Sequence, residues 1–270
     1  MPDIDISRIE QIIRQVAEKE VLPRFKNLQQ GDVREKNPGD LVTVADEAAE
    51  AFLSEKLTEA LPGSIVVGEE AVSKDKSVLE RLKGNDPVWV IDPIDGTYNF
   101  AHGRSTFGIL VALVHKGITR YGFAYDVIGE RMATAKKGGG AYINGQKISL
   151  APKTYGLKEM TGQGGGAQAW HFKPVLDDFK EIINYRCSLH DFMNFATGRS
   201  DFIIHVNKLT PWDHAAGCLI AEEVGGYVMK NDGERYDPSY FGPGFMVVAS
   251  SPENCRRIYD VAYSKLTKSP

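Results

Sequence analysis

One segment joins strand-forming residues to two carboxylates, a glycine and a threonine: Trp89-Val-Ile-Asp92-Pro-Ile-Asp95-Gly96-Thr97. Strand ends are where α/β proteins bind ligands, and the proline predicts a turn that lets Asp92 and Asp95 converge. Convergent carboxylates favour a hard divalent cation such as Mg²⁺, and the backbone N–H groups of Gly96 and Thr97 suit phosphate oxygens. An acidic turn capped by its own side chains is the alternative interpretation.

Further acids follow other apolar runs. Glu69 and Glu70 come directly after Ile65-Val-Val-Gly68. Because neighbouring side chains of an extended segment point in opposite directions, we expect only one of the two to face a site. Asp213 stands at a predicted helix start, and the Ala-Ala-Gly217 that follows permits close helix packing. The alternatives are a solvated loop for the glutamates and an ordinary N-cap for the aspartate.

The elements that must position these acids begin with two amphipathic helices. Apolar residues recur at helical spacing over 7–22 and again over about 46–61. Short apolar runs bounded by turn residues then predict strands near 65–67, 88–91, 107–114, 122–125, 131–135 and 141–143. The pairs Lys116-Gly117 and Asn144-Gly145 predict tight turns, so we expect an antiparallel meander.

The second half alternates helices and strands. Residues 152–166 collect proline, glycine and polar residues without periodicity. We therefore expect an N-terminal α+β subdomain, 1–152, and a C-terminal α/β subdomain, 153–270. Helices are predicted near 192–197, 211–224 and 254–266, and strands near 202–204, 227–229 and 245–249. The first subdomain then carries most candidate acids, and the second carries Asp213.

Composition excludes several classes of protein. The 270 residues are 42% hydrophobic and 25% charged, which is typical of a globular protein rather than a disordered chain, a collagen or a coiled coil. A formal charge of −4 favours no nucleic acid partner, so any anion site must be local. The cysteines, Cys187, Cys218 and Cys255, have no paired spacing, and no long apolar run occurs. We expect a cytoplasmic protein that contacts no membrane.

Four motifs, taken together and in order, resemble one known family: Asp40-Leu-Val-Thr-Val-Ala-Asp46, Gly68-Glu-Glu70, Asp92-Pro-Ile-Asp-Gly-Thr97 and Trp212-Asp-His-Ala-Ala-Gly217. They are similar to those of the inositol monophosphatase family, within the metal-dependent, lithium-sensitive sugar phosphatase superfamily. The resemblance covers the whole chain. It implies a layered αβαβα sandwich of the sugar phosphatase type, a homodimer, and Mg²⁺-dependent, lithium-sensitive hydrolysis of a small phosphate monoester such as an inositol phosphate.

The resemblance also implies metal ligands. Glu69, Asp92 and the carbonyl of Ile94 match the ligands of a first ion. Asp92, Asp95 and Asp213 match those of a second. Glu69 further matches the contact to the water shell of a third, more weakly held ion, so two to three Mg²⁺ ions are expected.

Catalytic roles follow from the same resemblance. Asp95, Gly96 and Thr97 match the phosphate-binding turn, and the Thr97 hydroxyl with Glu69 matches the pair that orients the attacking water. Asp46 matches the acid that supports the threonine. Phosphate monoesters hydrolyse very slowly in water, so a site must both activate a nucleophile and neutralise the leaving oxygen. Metal ions do both, and no covalent phosphoenzyme is needed.

The substrate-binding positions depart from the family pattern. Relatives that act on inositol phosphates carry a Gly-Ser/Thr-Ala stretch and a later glutamate. A gap-free register places Arg186, Cys187 and Ser188 on the stretch and His205 on the glutamate. Because arginine gains little from a neutral polyol, we expect a substrate with a second anionic group. A sugar bisphosphate, a nucleotide 3′- or 2′-phosphate, or an amino-polyol phosphate such as histidinol phosphate would fit; an alignment slip is the alternative.

Two other functions compete with a phosphatase. The segment Gly162-Gln-Gly164-Gly-Gly166 suggests a nucleotide-dependent oxidoreductase, but no clear strand precedes it and no clean helix follows. A non-catalytic regulatory or binding protein on the same fold is the other alternative. The complete set of acids, together with Thr97, argues against lost chemistry.

Overall fold

The computed structural model describes residues 3–37, 39–151, 155–166, 168–231 and 233–267. Its α-helices are α1 (Ile6–Val16), α2 (Val44–Ala60), α3 (Glu69–Lys74), α4 (Thr97–Ala101), α5 (Ser188–Ala196), α6 (Pro211–Glu223) and α7 (Pro252–Leu266). A π-helical turn, Ala17–Val21, extends α1. Shorter 3₁₀ segments span Lys76–Lys83, Leu157–Glu159 and Ala169–Asp178. Each long helix predicted from periodicity is present.

The first half contains a hairpin and a seven-stranded sheet. The hairpin pairs β1 (Val33–Asn37) with β2 (Asp40–Thr43). The sheet consists, in spatial order, of β3 (Ile65–Gly68), β4 (Val88–Asp95), β5 (Gly108–His115), β6 (Ile118–Asp126), β7 (Arg131–Lys136), β8 (Gly140–Ile143) and β9 (Gln146–Ile148). Strand β3 is parallel to β4, and the others are antiparallel. The predicted meander is confirmed. Lys116-Gly117 and Asn144-Gly145 form its tight turns with positive φ at all four residues.

The second half supplies a five-stranded sheet. In chain order its strands are β10 (Thr161–Gly165), β11 (Glu181–Ile183), β12 (Phe202–His205), β14 (Tyr227–Lys230) and β16 (Met246–Ala249). Their spatial order is β11-β10-β12-β16-β14, and β13 (Lys208–Leu209) pairs separately with β15 (Gly242–Pro243). The glycine-rich segment weighed as a nucleotide loop is therefore strand β10. Its glycines make room for neighbours, since a Cβ on Gly162 would lie 2.2 Å from the Phe202 ring.

Both sheets are covered on both faces. α1 and α2 pack on one face of the first sheet, α5 and α6 lie between the sheets, and α7 covers the outer face of the second. Side chains of β4 alternate accordingly: Trp89 and Ile91 pack toward α1 and α2, whereas Val88 and Val90 pack toward the middle layer. The layered αβαβα arrangement is confirmed.

The two halves share the middle layer. Helix α6 comes from the second half of the chain but packs against β4, β5, β6 and β7 of the first sheet. The subdomain boundary predicted between residues 152 and 153 lies outside the described residues. Cys187, Cys218 and Cys255 are buried and form no disulfide. Within the described ranges, the helices are too short or too polar to cross a bilayer.

Candidate active site

The end of β4 delivers two carboxylates to one point. The register between β4 and β5 shifts between Asp92 and Asp95, so Pro93 lies in a bulge of the strand rather than in a turn that ends it. Residues three apart in a regular strand face opposite sides, and the bulge removes that restriction. Ile94 N donates to Asp92 Oδ1 at 3.1 Å. Asp95 accepts hydrogen bonds from two backbone N–H groups at the start of α5, one of them Ser188 N at 3.1 Å.

Asp213 enters the same site from the start of α6. Thr210 caps this helix: Asp213 N donates to Thr210 Oγ1 at 3.4 Å, and that hydroxyl donates to Asp213 Oδ2 at 2.6 Å. The aspartate is thus oriented by the cap and is not the cap itself. A Cβ on Gly217 would lie 2.1 Å from the Phe192 ring, so the small residues after Asp213 do allow α5 to approach closely.

The three aspartates form an acidic cluster. Oxygens of Asp92, Asp95 and Asp213 all lie within 4.8 Å of one another. Burial, and then the charges of neighbouring acids, of which Glu69 contributes most, raise the pKa of Asp92 well above its usual range. Burial and the charge of Asp213 raise the pKa of Asp95 to about 7. Like charges this close coexist in a buried site only when a cation compensates them.

Glu69 begins α3, directly after β3. The carboxylate of Glu50, from α2, accepts hydrogen bonds from Glu70 N and Ala71 N at 2.8 Å each, which satisfies the first turn of α3. A Cβ on Gly68 would lie 2.3 Å from that carboxyl carbon, so the glycine makes room for it. Burial raises the pKa of Glu50 to about 7 against the opposing effect of the two N–H groups.

Both glutamates of α3 meet one ammonium. Lys36 Nζ, from β1, donates to Glu69 Oε1 at 2.7 Å and to Glu70 Oε1 at 3.0 Å. The expectation that only one glutamate faces inward rested on an extended backbone, whereas these residues form a helical first turn. Burial raises the pKa of Glu69 well above its usual range, and the charge of Lys36 opposes that rise.

Thr97 is held between a carbonyl and an acid. Its Oγ1 lies 2.9 Å from Ile94 O and 3.1 Å from Asp46 Oδ1. The other oxygen of Asp46 accepts from Thr43 N at 2.8 Å and from Thr43 Oγ1 at 2.6 Å, which completes the capping box of α2. Burial raises the pKa of Asp46 to about 6, although its hydrogen bonds with Thr43 lower it. Asp46 and Thr97, which the resemblance pairs, are in direct contact.

The turn between β4 and α4 requires a glycine. Gly96 has φ of +87°, in the left-handed region. A Cβ there would also lie 2.9 Å from Thr106 O. Gly96 and Thr97 therefore place their backbone at the start of α4, next to the segment that carries Asp92 and Asp95, where a phosphate is expected from the sequence.

A cavity of about 470 Å³ lies beside Asp95 and Asp213. It is lined by Asp95, Gly165, Gly166, Gln168, Trp170, His171, Arg186, Cys187, Ser188, Asp191, Asn207 and Asp213. The three consecutive residues predicted for the substrate rim, Arg186, Cys187 and Ser188, are all on its wall. They share that wall with two of the clustered acids because α5 begins at Ser188 and its first N–H groups bind Asp95.

Arg186 adopts an unusual backbone conformation. Its φ is +55°, which costs a residue with a Cβ roughly 1 to 2 kcal/mol relative to glycine. The guanidinium carbon lies 3.6 Å from the centroid of the Tyr98 ring, and Nη1 donates to Gln168 Oε1 at 3.3 Å. Arg186 thus combines a left-handed backbone conformation with a place in the cavity lining.

His205 lies behind the cavity and does not reach its lining. The ring is 1% exposed, 3.0 Å from Asp191 Oδ2 at Nε2 and 2.9 Å from His214 Nε2 at Nδ1. This position corrects the expectation of a substrate contact. The side chain points between the sheets, where both ring nitrogens are already engaged within the protein.

Comparison with known proteins identifies the family. The family model described as "Inositol monophosphatase family" matches residues 6–265. The chain belongs to this family. As a family member it is a phosphatase that acts on phosphoric monoesters. Its fold is also that of a Thermotoga maritima IMPase structure, which has a TM-score of 0.79 and 24% identity, with 97% of this chain and 98% of that chain covered.

Two curated relatives with different names are similar to the chain. Inositol-1-monophosphatase of Bacillus subtilis is 31% identical over 231 residues, which cover 83% of this chain and 84% of the relative. A putative Nus factor SuhB of Neisseria meningitidis is 32% identical over 212 residues, with 72% and 75% covered. Both named groups therefore resemble this inositol monophosphatase family member at similar levels.

The acidic cluster fits the divalent metal dependence of the inositol monophosphatase family. All its donors are carboxylate oxygens, the ligands that hard divalent cations prefer. The raised pKa values of Asp92 and Asp95 mean that their ionised forms need a compensating cation. Asp92, Asp95 and Asp213 would hold one such ion, and Glu69 lies close enough to Asp92 to affect its ionisation.

Three residues of this site escaped the sequence analysis. Lys36 and Glu69 are 33 residues apart, and no motif links a lysine of a short hairpin to a helix start. Glu50 is a charged residue on an amphipathic helix, which is usually a solvated position. Asp191 follows the rim stretch, and an acid among the apolar residues of 189–195 was the available signal.

Proposed function

We propose that this phosphatase uses Mg²⁺ to hydrolyse a small phosphate monoester of a sugar or polyol, by direct attack of water. The observation that supports this proposal is the convergence of Asp92, Asp95 and Asp213 within 4.8 Å. Two of these acids, Asp95 and Asp213, line a cavity together with Ser188 and Arg186. Two to three ions per site are part of the proposal. Carboxylate donors suit Mg²⁺, which usually keeps several waters and binds substrate phosphate as well.

The chain's own residues orient the nucleophile. A Thr97 hydroxyl that donates to Asp46 or to Ile94 O keeps a lone pair with which to accept a hydrogen bond from water. Asp46 cannot turn away, because Thr43 holds its second oxygen. Glu69, on the first turn of α3, is the second group proposed to direct this water.

Bound Mg²⁺ would supply the remaining chemistry by lowering the pKa of a water and by offsetting charge on the departing oxygen. The water oxygen forms the new bond to phosphorus, the ester P–O bond breaks, and a water proton ends on the leaving alcohol. The N–H groups of Gly96 and Thr97 are proposed to hold the phosphate oxygens. Cys187 is no rival nucleophile, since burial raises the pKa of its thiol well above the usual range.

Arg186 supports a preference for substrates with a second anion. Its guanidinium lines the cavity and stacks on Tyr98, which leaves the planar N–H edge to bind a second phosphate or carboxylate. A sugar bisphosphate, a nucleotide 3′- or 2′-phosphate, or histidinol phosphate would each offer more to this rim than a neutral polyol. We therefore propose weak or broad activity on inositol phosphates.

Phosphate release from a panel of monoesters, with and without Mg²⁺, tests this function. We expect release that requires Mg²⁺ and is inhibited by millimolar lithium. Full activity in excess chelator would contradict the metal role, and insensitivity to lithium would count against the lithium site alone. Sedimentation of the same preparation tests the proposed homodimer.

A non-catalytic binding role is the competing proposal. The observation that favours it is the similarity to relatives named as putative Nus factors. The panel separates the two. Hydrolysis abolished by substitution of Asp92 supports catalysis, whereas no release from any monoester with Mg²⁺ present supports binding alone.

A further inference from the structure

Two histidines lie side by side behind the cavity and have no part in the chemistry proposed above. His205, at the end of β12, is 1% exposed, and His214, in the first turn of α6, is 2% exposed. His205 Nδ1 lies 2.9 Å from His214 Nε2. Because buried imidazoles lose their hydration, each ring nitrogen needs a partner inside the protein.

The pair is the centre of a longer row of contacts. At one end, His205 Nε2 lies 3.0 Å from Asp191 Oδ2, and Asp191 lines the cavity. At the other end, His214 Nδ1 lies 2.8 Å from Thr210 O. Thr210 Oγ1 then donates to Asp213 Oδ2 at 2.6 Å. The row therefore runs from the cavity wall to the acid proposed as a metal ligand.

The rings have little freedom to rotate. A Cβ on Gly165 would lie 2.5 Å from the His205 ring, so the backbone of β10 sits directly against it. Phe192 contacts both imidazoles edge-on, at centroid distances of 5.7 Å and 6.5 Å. Packing on two sides holds the rings in the orientation that their hydrogen bonds require.

The row is complete in more than one arrangement of protons. His214 Nδ1 can donate to Thr210 O, or it can accept from Thr210 N at 3.2 Å. In either case a proton lies between the two rings and another between His205 and Asp191. Both arrangements use the same nitrogen and oxygen atoms. The hydrogen bonds therefore hold the loop before α6 in either protonation state of the histidines and Asp191.

We propose that His205 is a positioning residue, which through His214 and Thr210 holds Asp213 in place to bind a divalent cation. The proposal rests on the proposed function, because it takes Asp213 to be a metal ligand. Groups that orient a ligand from behind commonly change metal affinity or activity by about 10- to 100-fold when replaced. Within the row, the contact between His205 and His214 is the one that connects His205 to the start of α6, so the proposed effect on Asp213 depends on it.

Two substitutions of His205 separate that link from the rest of the row. His205→Asn places an amide near the position of Nδ1, so it can still bind His214 but no longer reaches Asp191. His205→Gln places an amide near the position of Nε2, so it can still bind Asp191 but no longer reaches His214. Each variant loses one buried hydrogen bond, so we expect similar losses of stability in chelator.

The measurement is calorimetric titration of the full chain with MgCl₂ in the absence of substrate. We expect His205→Gln to weaken Mg²⁺ binding by about tenfold or more and His205→Asn to change it by less than about threefold. Ile204→Ala is the control for stability alone. Ile204 is buried in the core on the other face of β12, so its loss should lower the melting temperature and leave Mg²⁺ affinity unchanged.

Equal Mg²⁺ affinities in both His205 variants and the wild type would overturn the proposal, since the row would then only stabilise the fold. Equal losses in the two variants would also overturn it, because the link to His214 would have no special effect. Failure of the proposed function looks different: the wild type itself would neither bind Mg²⁺ nor release phosphate. In that case Asp213 is no ligand, and the positioning role falls too.

Discussion

Each side chain in the acidic wall of the active site has a hydrogen-bond partner within three residues along the chain, whereas the substrate rim is oriented by distant residues. The wall consists of Asp46, Asp92, Thr97 and Asp213, and the rim consists of Arg186, Cys187 and Ser188. Asp92, for example, accepts from the N–H of Ile94, two residues along the chain. Arg186 instead stacks on Tyr98 and reaches Gln168, 18 residues away. The wall can therefore be recognised in short motifs, and the rim depends on how α5 packs.

The largest expected effect comes from removing one charge of the wall. Asp92→Asn should lower kcat on the order of 10³-fold or more, because a ligand for the charge-neutralising cation is lost. Its free energy of unfolding in chelator should not fall, since the amide relieves the repulsion that raises the pKa of Asp92. Asp126→Asn, which breaks the ion pair with Arg131 outside the site, is the matched control. Asp126→Asn should lose stability and keep its kcat. If Asp92→Asn instead lost stability and kept its kcat, Asp92 would not be a metal ligand.

A smaller effect tests the hydroxyl of the wall. Thr97→Ala should reduce kcat by a factor on the order of 10², because orienting the water acts mainly in the transition state. Mg²⁺ affinity, measured by calorimetry, should stay near the wild-type value. Thr97→Ser keeps the hydroxyl and should keep most of the activity. A change confined to KM would mean that Thr97 binds substrate rather than the nucleophile.

Glu50, which binds the first turn of α3, should affect how stability depends on pH. The pKa of Glu50 is raised to about 7 in the folded protein, so the folded state binds more protons than the unfolded state between about pH 4.5 and about 7. This acid therefore makes stability fall as pH rises through that window. Glu50→Gln should lessen the fall by on the order of 2 kcal/mol, measured by urea unfolding in chelator at pH 5 and pH 8. Identical slopes for the two proteins would show that Glu50 is not so perturbed.

The rim should give the smallest effect, and one that depends on the substrate. Arg186→Ala should lower kcat/KM about tenfold for a bisphosphate and little for inositol 1-phosphate, because only the bisphosphate offers a second anion. Arg186→Gly should have the same kinetics and be about 1 kcal/mol more stable than Arg186→Ala, since glycine adopts the left-handed conformation without strain. An equal loss of kcat/KM on both substrates would show that Arg186 does not select for a second anion.

Prediction from the sequence succeeded where the deciding interactions are local. The pattern Asp92-Pro-Ile-Asp-Gly-Thr97 predicted that Asp92 and Asp95 converge, although they do so through a bulge within β4 and not through the expected turn. Helical periodicity located the long helices, and short apolar runs located most strands because both faces of each sheet are buried. Strand β10 was missed, because three glycines and a glutamine among its five residues carry no hydrophobic signal although their backbone pairs on both sides.

By itself, the sequence determined the convergence of Asp92 and Asp95, the capping of α2 and the turns of the meander, since each depends on residues within a few positions of one another. Only the tertiary structure decided that Lys36 meets Glu69, that the N–H groups of α5 bind Asp95, and that His205 is buried against His214 instead of facing substrate. The physical reason is that hydrophobic periodicity specifies which face of an element is buried but not which element covers it. A polar side chain on such a face acquires its partner, and with it its charge state and its role, when the layers pack.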